Sequence, residues 1–446
     1  MAKRILGLDI GAHAIKAVEL RQTLRSLEVG QLRALPLEGA GSSFADELRE
    51  FLRVYELPTD FVVCALPGDR VSSRRLSFPF GDRRRIAQAV PFEVEGAVPF
   101  DLDDFFIDWE PVRRHRGGAD VMATLAPRAE VGALLTTLAE AGIEPRIVEA
   151  EGLVLANLCG LFELTGTRLL VDLGHRKTTL CLVAEGRPVA ARTIPMAGLA
   201  LTEAIAKDRA VGREEAERLK HETGVFPPGE DPADTKDHAV LDRLARELVR
   251  TVGSLESALA ETAAGRLEEV TLLGGTARLH RLGDYLRQRT GLPVALLQPP
   301  PEPHRAALLS GGDPLLFAPA VALALRGTSL ARTQMNFRQD EFARRLDLSR
   351  FGPDLRWTAI GLAVVIGLAL ASVGLDVWMG HRQARQLEAH TASLYQEAFP
   401  GSGVPDNVLG AMREAVRSAN SRADLLGVYA GNLSALDLLT EISARV

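Results

Sequence analysis

Two acids sit at matching places in the sequence, each where an apolar run meets a glycine turn. In "GLDIGAHAIKAVEL" (7–20) Asp9 is followed by Gly11 and then Lys16, and in "LLVDLGHRKTTLCLV" (169–183) Asp172 is followed by Gly174 and Thr178. Glycine turns let backbone N–H groups approach phosphate oxygens, because no Cβ intervenes and positive φ is open to them. A carboxylate at the strand end can hold hydrated Mg²⁺ against those phosphates and orient an attacking water. One Asp-x-Gly says little, since Asp and Gly make turns on their own account. A third element raises its specificity: in "LLGGTARL" a strand runs into Gly274, Gly275 and Thr276 at an expected helix start, where a phosphate or nucleoside could dock. Asp9 and Asp172 are the candidate metal-side acids of such a cleft.

The elements that must position these residues form a repeat. Expected strands at 4–10, 15–20 and 27–34 precede a helix at about 43–56, and the Asp172 segment repeats the strand–turn–strand theme roughly 160 residues later, as in a duplicated domain. Between the copies, strands at 61–68, 71–79, 104–112 and 120–126 with helices at 82–100 and 129–141 are expected as a small α+β insertion, about 60–142. A strand at 146–150 and a helix at 151–163 lead into the second copy. Helices at 198–208, 213–221 and 239–263, a strand at 268–273, a loop-like "PPPEPHRAALLSGGDP" and an apolar helix at 315–325 complete it.

The 446 residues call for several domains. The net charge of −6 speaks against nucleic acid as a partner. Cys64, Cys159 and Cys181 lie in apolar runs without paired spacing and are expected as core thiols, and His13 and His175 have no metal-ligand spacing. The amino terminus enters a strand pattern directly, with no signal-peptide core, so the first domain is expected to remain where it is synthesised.

From Thr358 to Leu375 the eighteen residues "TAIGLAVVIGLALASVGL" carry no charge, lie between Trp357 and Trp378, and would cover roughly 27 Å of a bilayer. Arg344, Arg345, Arg350 and Arg356 precede the span, while Arg382 and Arg385 follow it beside Asp376. The positive-inside bias therefore places residues 1–356 in the cytoplasm and the tail on the other side of the membrane.

With these motifs the chain resembles the actin-like ATPase superfamily, an α/β, RNase H-like duplicated fold. That resemblance assigns phosphate loops to Asp9 and Asp172, an adenosine motif to "LLGGTARLHRL" and an adenosine-contacting helix to "EEAERLKHETG", bringing in Glu217 and Lys220. Within the superfamily "FEVEGAVPFDLDDFFIDW" and "ARTIPMAGLALTEAI", the latter carrying Gly198, resemble PilM of type IV pili. The succession of actin-like domain, "MNFRQDEF" (335–342), one span and "LYQEAFPG" (394–401) is similar to the GspL family, inner-membrane platform proteins of type II secretion. The resemblance implies 1–330 as the cytoplasmic domain, 331–356 as linker, 357–378 as transmembrane helix and 379–446 as a periplasmic segment beginning a ferredoxin-like α+β domain, of which the helix at 406–421 and the apolar start at 436 are the first part. It implies the secretion ATPase GspE, GspM, GspF and pseudopilins as partners, and a homodimer. Ala12, His13, Ala14 and Ile15 stand where nucleotide-binding relatives carry hydroxyls, so the expectation is a scaffold with a cleft inactive in hydrolysis, ATP with Mg²⁺ remaining open as a weak ligand. A PilM-like pilus or competence component and a membrane-tethered ATP-hydrolysing enzyme are the alternatives. The runs Glu214–Arg218 and Arg243–Arg250 are candidate docking faces.

Overall fold

The computed structural model describes residues 2–24, 26–37, 43–99, 101–226, 239–262, 265–300, 312–344, 352–432, 440 and 443–444. The chain divides into two compact units, Met1–Arg344 and Arg345–Val446.

In the first unit β1 (Lys3–Ile10), β2 (Ala14–Gln22) and β3 (Leu27–Pro36) form an antiparallel meander. Ile5, Leu6 and Leu8 of β1 are fully buried, as befits a central strand covered on both faces. β4 (Val62–Leu66) lies parallel to β1, pairing Leu6 with Val62, and β8 (Ile147–Ala150) lies parallel to β4, giving the order β3-β2-β1-β4-β8. The strand at 61–68 therefore belongs to the first sheet and not to the insertion that the sequence places at about 60–142.

β5 (Ser72–Phe78), β6 (Phe105–His115) and β7 (Gly118–Pro127) make the insertion's own sheet, ordered β5-β7-β6. A helix, Arg83–Glu95, lays Ile86, Val90 and Val94 on it; Asp82 caps that helix by accepting from the Arg85 N–H.

The second copy repeats the first strand for strand. β9 (Arg168–Leu173), β10 (Thr178–Ala184) and β11 (Arg187–Ile194) form the meander, and β12 (Glu269–Leu273) and β13 (Val294–Leu296) add in parallel, in the order β11-β10-β9-β12-β13. Beyond β12 the Gly pair opens a single 3₁₀ turn, Gly275–Arg278, and the helix begins only at Leu282. The helix expected at 151–163 is broken by a 3₁₀ turn at Leu155–Asn157, where the Asn157 amide bonds to Ala322 and Thr333.

The helix Pro314–Arg326 packs on both copies. Gly7 makes its approach to β1 feasible, because a Cβ there would lie 2.1 Å from the Ala320 carbonyl oxygen.

The expected linker from 331 begins inside the folded unit. Residues 332–342 form a strap held by buried side chains. The Thr333 hydroxyl donates to Glu149 Oε2 (2.9 Å), the Gln334 and Met335 N–H groups donate to Glu110 Oε1, and the Asn336 N–H donates to Asp108 Oδ2 (2.7 Å). Asn157 Oδ1 accepts from the Arg332 and Thr333 N–H groups. Burial raises the pKa values of Glu149, Glu110 and Asp108, and Arg326, 2.7 Å from Glu149, offsets part of that cost.

The second unit holds a helix from Gly352 to Ala398 and another from Val408 to Asn432. Among the described residues the first is the one helix long and apolar enough to cross a membrane, and none of its apolar stretch is buried. It continues well beyond the expected span end at 378. Arg345 and Arg350, most of the loop at 299–314 and the apolar start at 436 lie outside the described residues.

Candidate functional site

The β1–β2 hairpin sets Asp9 directly across from Lys16, and the lysine ammonium sits 2.8 Å from Asp9 Oδ2. Burial alone would lower the Lys16 pKa, but Asp9, Asp172 and Glu151 together raise it. Asp172, at the end of β9, is surrounded by protein groups; desolvation pushes its carboxyl up to about 7, aided by the charges of Asp9 and Glu151 and opposed by Lys16 and Lys177. Gly274, at φ +91°, lies against it so closely that a Cβ would fall 2.2 Å from Asp172 Oδ1. The two Asp-x-Gly turns and the Gly pair thus converge on one cleft, as their spacing predicts.

Glu151 and Lys177 are the site residues that sequence reasoning missed. Glu151 begins the helix after β8, accepts from the Gly68 N–H (2.6 Å) and holds Lys177 Nζ at 2.6 Å; Asp69 lies 3.3 Å from the same ammonium. A basic turn such as "HRK" (175–177) can favour a phosphate or lie on a solvated surface; Lys177 is instead three-quarters buried between carboxylates contributed by the other copy. The available signal was that Glu151 directly follows a buried parallel strand, the position at which a cleft acid emerges.

Several groups a phosphate would require are already engaged. The Gly11 N–H donates to Ala14 O (3.2 Å) and the Gly174 N–H to Lys177 O (3.2 Å), each within its own turn. The imidazoles of His13 and His175, one from each loop, stack with centroids 4.8 Å apart, and burial lowers the His175 pKa. A cavity lined by Asp9, Pro67, Glu151 and Lys177 measures about 20 Å³, room for about one water. Among the described residues no three His, Cys, Asp or Glu side chains converge as a metal site, and the candidate metal acid Asp9 is held by an ammonium.

The remaining predicted residues form a second group. Thr276 Oγ1 donates to Gly174 O (2.7 Å), and Lys220 donates to Gly198 O (3.3 Å), to Thr202 Oγ1 (3.0 Å) and to Glu217 (2.7 Å). Burial would raise the Glu217 pKa, but hydrogen bonds from His221, Lys220 and Thr202 hold it well below the usual range. Thr178 donates to Met196 O (2.7 Å), while Gly275 borders Leu316. In the run Glu214–Arg218, Arg218 is paired within its own helix to Glu215 and Glu222, as a solvated face would be.

The sequence profile of the family described as "Type IV pilus assembly protein PilM" matches residues 7–326. The chain belongs to the PilM family. A solved PilM-family structure, "PilM-PilN type IV pilus biogenesis complex", is 26% identical with TM-score 0.59, covering 72% of this chain and 98% of that one. The duplicated sheets, the insertion and the cleft are thus those of an actin-like α/β fold. A weaker likeness, 14% identity and TM-score 0.37 over 76% of this chain and 100% of the other, is to the cytoplasmic domain of EpsL, an inner membrane component of the type II secretion system of Vibrio cholerae. A curated relative, a probable DNA ligase of Anaeromyxobacter sp. (strain K), is 32% identical over 171 residues, which is 36% of this chain. The chain spans about a third of that relative's length, 32%.

Proposed function

We propose that this protein is a membrane-anchored PilM-type scaffold of the type II secretion kind, which recruits a cytoplasmic secretion ATPase of the GspE type and couples it to the membrane platform and pseudopilus. The observation that carries this reading is the strap: the main chain of residues 332–336 is clamped by Asp108, Glu110 and Asn157, with Glu149 holding the Thr333 hydroxyl, and the same chain then continues into an apolar helix of membrane-spanning length. Whatever pulls on the first unit pulls on the span through this clamp. The linker and span resemblance supports GspM, GspF and pseudopilins as further partners, a homodimer, and an inner-membrane protein with a cytoplasmic amino terminus.

The cleft fits a scaffold better than a hydrolase. Asp9 is paired with Lys16 and Glu151 with Lys177, and the Gly11 and Gly174 N–H groups close their own turns in place of gripping a triphosphate. Where a relative would hold Mg²⁺ with ATP, Asp9 and Asp172 are the residues to do so, and Lys16 and Lys177 would have to release their carboxylates first. Calorimetric titration of Mg²⁺-ATP into the full chain in detergent tests this: no saturable binding is expected, and micromolar binding with turnover lost in Asp9→Ala would sink the scaffold reading of the cleft.

The family match and the PilM–PilN structure favour a second reading, a pilus component working with a PilN-type partner. Co-purification decides between the two. A stoichiometric complex with the secretion ATPase of the same cell supports the first reading; capture of a PilN-type peptide supports the second.

A further inference from the structure

Away from the cleft, an open cavity of about 770 Å³ lies between the insertion and the second copy. It is lined by Arg83, Arg113, Arg114 and Arg187 against a single carboxylate, Glu185. In a chain of net charge −6 this is a local inversion of sign. Arg83 donates to Gln334 Oε1 (2.8 Å), faces the Trp109 ring at 5.4 Å and lies close enough to Asp108 to feel its charge. Arg113, Arg114 and Arg187 are exposed and have no hydrogen-bond or ion-pair partner among the described residues, not even Glu185 across the cavity. Elsewhere on this unit arginines are routinely paired, as Arg53 is to Glu50 and Arg128 to Asp340 and Glu341.

A second observation narrows the ligand. Arg113 and Arg114 stand on β6, an edge strand of the insertion sheet, and Arg187 begins β11, an edge strand of the second sheet. The strap covers β6 at Asp108 and Glu110, but from Val112 to His115 the outer edge makes no main-chain hydrogen bond to another strand among the described residues. The ladder also breaks register between Pro111 and Arg113, a bulge that turns this end of the strand. Open edges offer main-chain groups to an added strand, and guanidinium forks match carboxylates in two-point geometry. A phosphate or a lipid headgroup would use the arginines and ignore the edge; an extended chain uses both.

We propose that this cavity is the docking site for an extended, acidic segment of a partner protein, paired along β6 at 112–115 and read by Arg113, Arg114 and Arg187. Because Gln334 of the strap also lines the cavity, occupancy touches the segment that leads to the membrane helix.

The test uses the full chain in phosphatidylcholine nanodiscs and a fluorescein-labelled peptide of alternating glutamate and valine, read by anisotropy. Saturable, salt-sensitive binding is expected, weakened about tenfold or more in Arg113→Glu/Arg114→Glu, since several charge-assisted hydrogen bonds are removed. Arg187→Gln, on a different element, should weaken it in the same direction, while Arg53→Glu on a distant helix should leave it unchanged. Equal binding by the β6 double variant and wild type overturns the proposal, as does the absence of peptide binding. Arginine-dependent binding of phosphatidylglycerol vesicles without peptide binding overturns it too, and assigns the cavity to lipid headgroups.

Discussion

Buried acids gather in two places in this molecule, and the two gatherings are built differently. In the cleft Asp9 and Glu151 each meet a lysine ammonium, Asp9 within its own hairpin and Glu151 across to Lys177 of the other copy. Under the strap Asp108 and Glu110 accept from main-chain N–H groups, and Glu149 is held by one arginine and a hydroxyl. A lysine on a flexible stem can let go of its carboxylate at modest cost; a backbone N–H inside a clamped segment has no alternative partner. The cleft is therefore the adjustable joint and the strap the fixed one, the reverse of what a hydrolase with a loose tether would show.

Removing one member of the strap cluster is the strongest challenge to that contrast. Glu149→Ala removes the carboxylate that Arg326 is bonded to and should cost about 3 to 5 kcal/mol in denaturant unfolding of the full chain. A loss under about 1 kcal/mol would make the strap no more fixed than the cleft. Next comes Gly274→Ala, which places a methyl against Asp172 at a positive φ; about 1 to 3 kcal/mol is expected, read from the same curves. An unchanged midpoint would show that the turn can move aside.

A pH series sharpens the cleft side. The Asp172 carboxyl is raised from 3.8 to about 7, so the folded chain holds a proton that the unfolded chain has released. Its contribution to stability is therefore greatest below the ordinary value and declines as pH rises towards about 7. The difference in melting temperature between Asp172→Asn and wild type should grow in favour of the variant between pH 4 and 7, and a flat difference refutes the burial argument. The smallest effect is expected from Thr276→Val, which loses the bond to Gly174 O: about 1 kcal/mol, without exposing the core.

Much of this was legible in the sequence because the signals were local. Apolar runs ending in Asp-x-Gly, repeated, located the paired meanders and brought Asp9, Asp172 and Gly274 to one cleft. Pairing partners were less visible. Val62–Leu66 reads like the strands after it, and only its parallel register with β1 assigns it to the first sheet. Lys177 looks like turn surface until Glu151, from a distant part of the chain, is brought to it. The strap was hidden for the same reason: "RTQMNF" has no periodicity of its own, and its conformation is imposed by acids on β6 and β8. That Thr178, the first residue of β10, bonds to Met196 O is likewise invisible in its local sequence.

The helix Gly352–Ala398 carries a consequence of scale. Its 47 residues rise about 70 Å, against a hydrocarbon layer of about 30 Å. The stretch from Asp376 to Ala398 therefore stands about 35 Å clear of the apolar segment as an unbroken rod. With the apolar stretch set in a bilayer, a tilt of a few degrees would swing the rod's far end by several ångströms with no bond in the helix broken, so small motions there would be felt as large ones by whatever grips the tip.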